Sequence, residues 1–142
     1  MATYLADTSA WFVAQRQSAP ETIRKSFAGL LSAGRIATCG AVAWELLHSA
    51  KNAAEYRSLR GDLAALDRVP FAESDWERAL DICEGLAERG GSLHRAPSST
   101  DAMIAVAAES AGLTVLHYDK DFDLIASVTG QPCEWIAPKG SL

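Results

Sequence analysis

Residues 4–12 read YLADTSAWF: a short run of strand formers, broken at Asp7 by a carboxylate and two small hydroxyl residues, and followed at once by a helical pattern. Two physical readings fit the break. Asp7 caps the helix that begins at Thr8, its carboxylate accepting from the exposed backbone N–H groups there. Alternatively, it is a metal ligand at the carboxyl end of a central strand, where α/β sheets collect their functional groups.

Working outward, the same strand-then-helix unit recurs. After the helix at 8–17, PETIRKSFAGLLSAG (20–34) reads as a second helix, with Pro20 at its start, Gly34 at its end and Ile23, Phe27, Leu30 and Leu31 on one stripe. RIATC (35–39) reads as the second strand. A helix follows from Ala41 to about Ala50, and another is expected over 52–69. Ser74 or Asp75 caps a helix lasting to Gly90, and SSTDAMIAVAAESAG (98–112) is an Ala-rich helix closed by Gly112. LTVLHY (113–118) is the third strand, KDFDLIAS (120–127) a short helix and CEWI (133–136) an edge strand. Strands alternating with helices predict an α/β fold, a parallel sheet covered on both faces. Neither repeat nor linker divides the chain, so residues 1–142 are read as one domain.

Composition narrows the class. The 142 residues are 49% hydrophobic and 22% charged, which is globular. No apolar window approaches a membrane span and no basic-then-apolar leader opens the chain, so a cytoplasmic protein is expected. Cys39, Cys83 and Cys133 are odd in number and widely spaced, without a C-x-x-C pair, which argues against a disulfide framework or zinc ribbon and for small buried side chains. The net charge of −5 disfavours a passive nucleic-acid binder but not an enzyme that meets phosphate through metal ions.

Four carboxylates fall near strand exits. Asp7 follows the first strand and Asp119 the third, with Asp121 and Asp123 behind it. Glu45 lies in the helix opened by the second strand, and Asp101 in the first turn of the Ala-rich helix. Between parallel neighbours these could share one cleft. Clustered carboxylates repel and resist ionisation unless a cation neutralises them. Mg²⁺ and Mn²⁺ take such oxygen ligands and act on phosphodiesters. Each acid also has a bland reading: Asp7 and Asp119 as caps, Asp101 as partner of Ser98 in a capping box, Glu45 as a solvated helix residue. Glu45 and His48 form a single E-x-x-H pair, short of the two a di-iron bundle needs. His94 and Arg95 stand in the loop before Asp101, where they either meet phosphate or are solvated. His117, inside a strand, is read as structural, and the four tryptophans as packing in the core or at an interface.

Four motifs in order, YLADTSAW (4–11), AWELLHS (43–49), HRAPSSTDAMIAVAAE (94–109) and VLHYDKDFDLIA (115–126), resemble those of PIN-domain proteins, and most closely the VapC toxins of type II toxin–antitoxin pairs. The resemblance spans essentially the whole chain and implies a PIN-like α/β/α sandwich with a central parallel sheet flanked by helices. It implies an Mg²⁺- or Mn²⁺-dependent endoribonuclease, with Asp7, Glu45, Asp101 and Asp119 as the catalytic, metal-binding acids. Thr8 or Ser9 would support that set. His94 and Arg95 would be candidates for RNA contact, and Asp121 and Asp123 further acids. Hydrolysis by an activated water would leave 5′-phosphate and 3′-hydroxyl ends on an RNA target such as tRNA or rRNA. The partners implied are a second copy of the chain and a VapB-type antitoxin, whose arm would use apolar positions such as Trp11 and Trp44. The alternative is a PIN-like module without activity that works through protein binding alone. A haloacid-dehalogenase-type phosphotransferase would need an acid where Ser9 stands. A response-regulator receiver would need one within ATCGAVAW (37–44), which has none.

Overall fold

The computed structural model describes residues 1–142. Its sheet is wholly parallel and has five strands in the order β3-β2-β1-β4-β5, comprising β1 (Tyr4–Ala6), β2 (Ile36–Cys39), β3 (Asp67–Val69), β4 (Thr114–His117) and β5 (Cys133–Trp135). Seven helices connect them: α1 (Thr8–Gln15), α2 (Glu21–Ser32), α3 (Gly40–His48), α4 (Ala53–Ala64), α5 (Asp75–Glu88), α6 (Ser99–Ala111) and α7 (Lys120–Thr129).

The strand exits take the form expected of a buried parallel sheet. β2 is buried along its whole length, and Leu5 and Ala6 of β1 and Val115 and Leu116 of β4 are buried as well. In register, Tyr4, Leu5 and Ala6 of β1 lie beside Thr114, Val115 and Leu116 of β4. From β1 the chain moves to β2 and then β3; it afterwards crosses the sheet to β4 and moves on to β5. The direction of winding therefore reverses between β1 and β4. Loops diverge at such a point and leave a crevice at the carboxyl ends of the strands.

The helix α6 is the centre of the packing. Ile104, Ala105, Val106, Ala107 and Ala108 are all buried in succession, as in a helix surrounded by protein. It touches α3, α5, α7, β1, β3 and β4. Alanines allow that close approach, and the helix carries the first-turn residue Asp101 toward the crevice. Gly112, at φ 69° and ψ 29°, ends it in the left-handed conformation that a side chain would strain.

One strand departs from the expectation. The helix predicted over 52–69 stops at Ala64, and Asp67–Val69 forms β3, paired through Cys39↔Val69. Asp67 and Arg68 are exposed on this edge strand, so the segment carries neither the alternation nor the apolar run that marks a strand in sequence. The protein thus has five strands where four were legible, and the strand preceding Asp119 is the fourth. Trp11 and Cys83 are also corrected. Trp11 is 5% exposed and packs edge-on against Phe27 at 5.0 Å, so it belongs to the core and offers no surface to a partner. Cys83 is exposed, unlike buried Cys39.

Candidate metal centre

Asp7 leaves β1 at the crevice and is 4% exposed. Its backbone N–H donates to Leu116 O at 2.8 Å, so β4 holds it in place. Its Oδ2 accepts from Ser9 N at 3.0 Å and from Ser9 Oγ at 2.6 Å, capping α1. The Ser9 hydroxyl in turn accepts from Tyr118 N at 2.9 Å. One small side chain therefore ties the exit of β1 to that of β4 across the crevice.

The other acids are fixed in the same manner. Asp119 caps α7, its Oδ1 accepting from Asp121 N at 2.9 Å, and its own N–H donates to His117 Nδ1 at 3.1 Å. Asp101 and Ser98 form the reciprocal capping box of α6: Ser98 N donates to Asp101 Oδ2 at 3.0 Å and Asp101 N to Ser98 Oγ at 3.1 Å. Glu45, half-buried on α3, accepts from Thr8 Oγ1 at 2.7 Å. Both hydroxyl residues after Asp7 are therefore engaged, Thr8 with Glu45 and Ser9 with Asp7.

Asp101, Asp119 and Asp121 each bring one ligand oxygen within 4.8 Å of the others. Asp7 joins them electrostatically. Burial is the main cause that lifts its carboxyl from the ordinary 3.8 to about 6; the Ser9 bonds oppose that rise, and the charges of Asp101 and Glu45 add to it. Burial likewise raises Asp101, with the charges of Asp119 and Asp121 contributing, and raises Asp121, with that of Asp119. None of the molecule's ion pairs involves Asp7, Glu45, Asp101, Asp119 or Asp121. An oxygen-only set, buried at Asp7 and half-buried at the other acids and held in no salt bridge, fits a hard divalent cation.

Other expected residues lie elsewhere. Asp123 turns away: both its oxygens accept from Trp135 Nε1, at 3.2 and 3.1 Å, and Oδ1 lies 3.9 Å from His117 Nε2. His94 sits in a 3₁₀ turn, Leu93–Arg95, its ring in an apolar groove with Trp76 and Cys83. Arg95 is exposed on that turn. His117 is fully buried among Phe122 and Trp135, with burial lowering its pKa, and serves the site through its bond from Asp119 N. The Ser9–Tyr118 and Thr8–Glu45 contacts, 109 and 37 residues apart, had no signal in the sequence beyond the hydroxyl types themselves.

Comparison with known proteins agrees with this architecture. Residues 4–128 match the model of the PIN domain. Ribonuclease VapC18 of Mycobacterium tuberculosis (strain ATCC 25618 / H37Rv) is 42% identical over 139 residues, covering 98% of each chain. Ribonuclease VapC51 of the same strain is 43% identical over 139 residues, or 98% of this chain and 96% of the relative. Among solved structures, the DNA-bound VapBC from Salmonella typhimurium has a TM-score of 0.71 at 24% identity, covering 96% of this chain and 100% of that one. VapBC-1 from nontypeable Haemophilus influenzae has a TM-score of 0.72 at 19% identity, covering 94% and 98%. These two likenesses are of fold.

Proposed function

This chain belongs to the PIN domain family, and from that premise we propose that it is a metal-dependent endoribonuclease toxin, residues 1–142 working as one unit under the control of a cognate VapB-type antitoxin. The observation that carries the reading is the convergence of Asp7, Asp101, Asp119 and Asp121 at the crevice between β1 and β4, with no salt bridge to any of them. The names of its relatives at 42% and 43% identity, both ribonucleases, support the reaction class.

Asp7, Asp101 and Asp119, with Asp121 beside them, are the residues that would hold Mg²⁺ or Mn²⁺, and Glu45 would complete the set. Bound there, the ion supplies charge neutralisation, a lowered pKa for water and a clamp on the phosphate oxygens. The residues divide the remaining work. Capping commits one oxygen each of Asp7, Asp101 and Asp119 to the backbone and leaves the second free toward the crevice. Thr8 fixes Glu45 through Oε1, leaving Oε2 to accept the proton of the attacking water. Water attack on phosphorus with departure of the 3′-oxygen leaves 5′-phosphate and 3′-hydroxyl ends. Exposed Trp44, at 71%, and Phe12, at 41%, provide apolar surface near α1 and α3 for the antitoxin arm. The active form is a homodimer that becomes a hetero-oligomer with antitoxin. No helix is long and apolar enough to cross a membrane.

The test is cleavage of total and transfer RNA with Mn²⁺ by the wild type and by Asp101→Asn. The variant keeps shape and capping capacity but loses the charge. The wild type should cut, leaving 5′-phosphate ends, and the variant should lose activity at unchanged thermal stability. Products with 2′,3′-cyclic phosphate would overturn the mechanism, and Mn²⁺ binding by neither protein would overturn the site.

A further inference from the structure

A second groove opens beside the acid cluster and shares a residue with it. It has a volume of 490 Å³ and is bordered by Arg89 at the end of α5, Lys120, Asp121, Asp123 and Ser127 of α7, and Lys139 of the C-terminal segment. We propose that this groove is a phosphate track that binds the RNA backbone next to the scissile bond; the inference rests on the nuclease reading above and adds to it a substrate-binding surface.

The groove sets three cations against two carboxylates, an excess of positive charge. Asp123 is committed to Trp135 Nε1 through both oxygens, and Asp121 belongs to the acid cluster. None of Arg89, Lys120 and Lys139 takes part in an ion pair. Three of the chain's 13 Lys and Arg residues meet here in a protein whose net charge is −5, so this is local complementarity against the overall sign.

Two of the cations are oriented. The Arg89 fork donates to Ser127 Oγ and, at 2.7 Å, to Ser127 O, which spans α5 and α7 with neutral acceptors and leaves the positive charge uncancelled. Lys139 Nζ lies over the Trp135 ring at 5.9 Å. Its segment is held by Leu142 N, which donates to Tyr118 Oη at 2.9 Å. Because Asp121 faces both spaces, a strand with its reacting phosphate at the acids continues into the groove. The border carries no exposed aromatic ring for base stacking, which fits a contact to backbone phosphates without sequence preference.

The experiment measures binding of a labelled single-stranded RNA by fluorescence anisotropy across a KCl series. Asp101→Asn is the uncut background, with Asp119→Asn as a second. Adding Lys120→Ala and Lys139→Ala should weaken binding about tenfold at low salt and flatten the salt slope by about 0.7 for each lost contact. Lys120→Arg with Lys139→Arg should restore both. Unchanged affinity and slope beside intact Mn²⁺ cleavage by the wild type would overturn the track and leave the nuclease standing. Loss of binding in the alanine pair beside a wild type that neither cleaves RNA nor binds Mn²⁺ would sink the nuclease reading, and with it the placement of the track beside a scissile bond, leaving only an RNA-binding groove. If the alanine pair weakened capture of a co-expressed antitoxin but left RNA binding unmoved, the groove would be a protein contact and the track would be wrong.

Discussion

At Asp7, backbone and candidate chemistry draw on different oxygens of one carboxylate. Oδ2 caps α1 through Ser9, and these bonds leave Oδ1 unused. Asp101 and Asp119 divide their oxygens in the same way. Cap and ligand, which compete as readings of the sequence, are therefore compatible roles, because each cap occupies only one oxygen. Burial has a cost in the absence of a cation. The folded Asp7 carboxyl, lifted to about 6, holds its proton more tightly than the unfolded one, whose ordinary value is 3.8. Stability of the metal-free protein therefore falls as pH rises between these values, by about 3 kcal/mol from this group. Asp7→Asn, which retains a capping oxygen, should raise Tm in EDTA at pH 7.5, and its advantage should vanish toward pH 4. Thermal unfolding at both pH values decides it, and a lower Tm for the variant at pH 7.5 would mean that the buried charge is compensated.

Among the elements, the α5–α7 contact is the tightest constraint. A Cβ at Gly85 would stand 2.9 Å from Cγ1 of Val128, a β-branched side chain with little freedom to move within a helix. Gly61, on exposed α4, has nothing within 4 Å of the same position. Helix propensity alone favours alanine at both sites by up to about 1 kcal/mol. Gly61→Ala should accordingly raise the urea midpoint, whereas Gly85→Ala should lower it by about 1 kcal/mol in stability; equal gains would show that Val128 yields. The same contact carries Arg89 and Ser127, so it also shapes the basic groove. How far an element was legible tracks how strong its local pattern is. The stripe of α2 and the caps and closing glycine of α6 stand plainly in the chain. β3 does not, because two of its three residues are exposed and only its pairing with β2 makes it a strand.

Over the whole molecule, the sheet's reversal between β1 and β4 brings together acids from β1, α3, α6 and α7. In the proposed site, folding these carboxylates into one crevice stores repulsion that a divalent cation would relieve, so metal binding would be coupled to stability. At a free Mn²⁺ concentration 100 times its Kd, the gain is about 2.7 kcal/mol, or roughly 8 °C in Tm for a chain of this size. Protons compete for the same oxygens. Asp7 titrates at about 6 and Asp101 and Asp121 are also raised, so the Mn²⁺-induced gain should shrink as pH falls from 7.5 to 5.5. A thermal-shift series over that range checks it, and a gain independent of pH would place the ion elsewhere.

The amino-acid sequence by itself determined the α/β class, most of the elements, the capping roles and the acids at the strand exits, because periodicity and cap chemistry act over a few residues. Only the tertiary structure decided which acids meet. Asp121 faces the cluster and Asp123 faces Trp135, Thr8 holds Glu45, and Ser9 bridges to Tyr118. It also moved Trp11 from a presumed surface to the core and added β3. Each of these depends on contacts between segments distant in the chain, and such contacts are set by sheet order and helix packing rather than by any local run of residues.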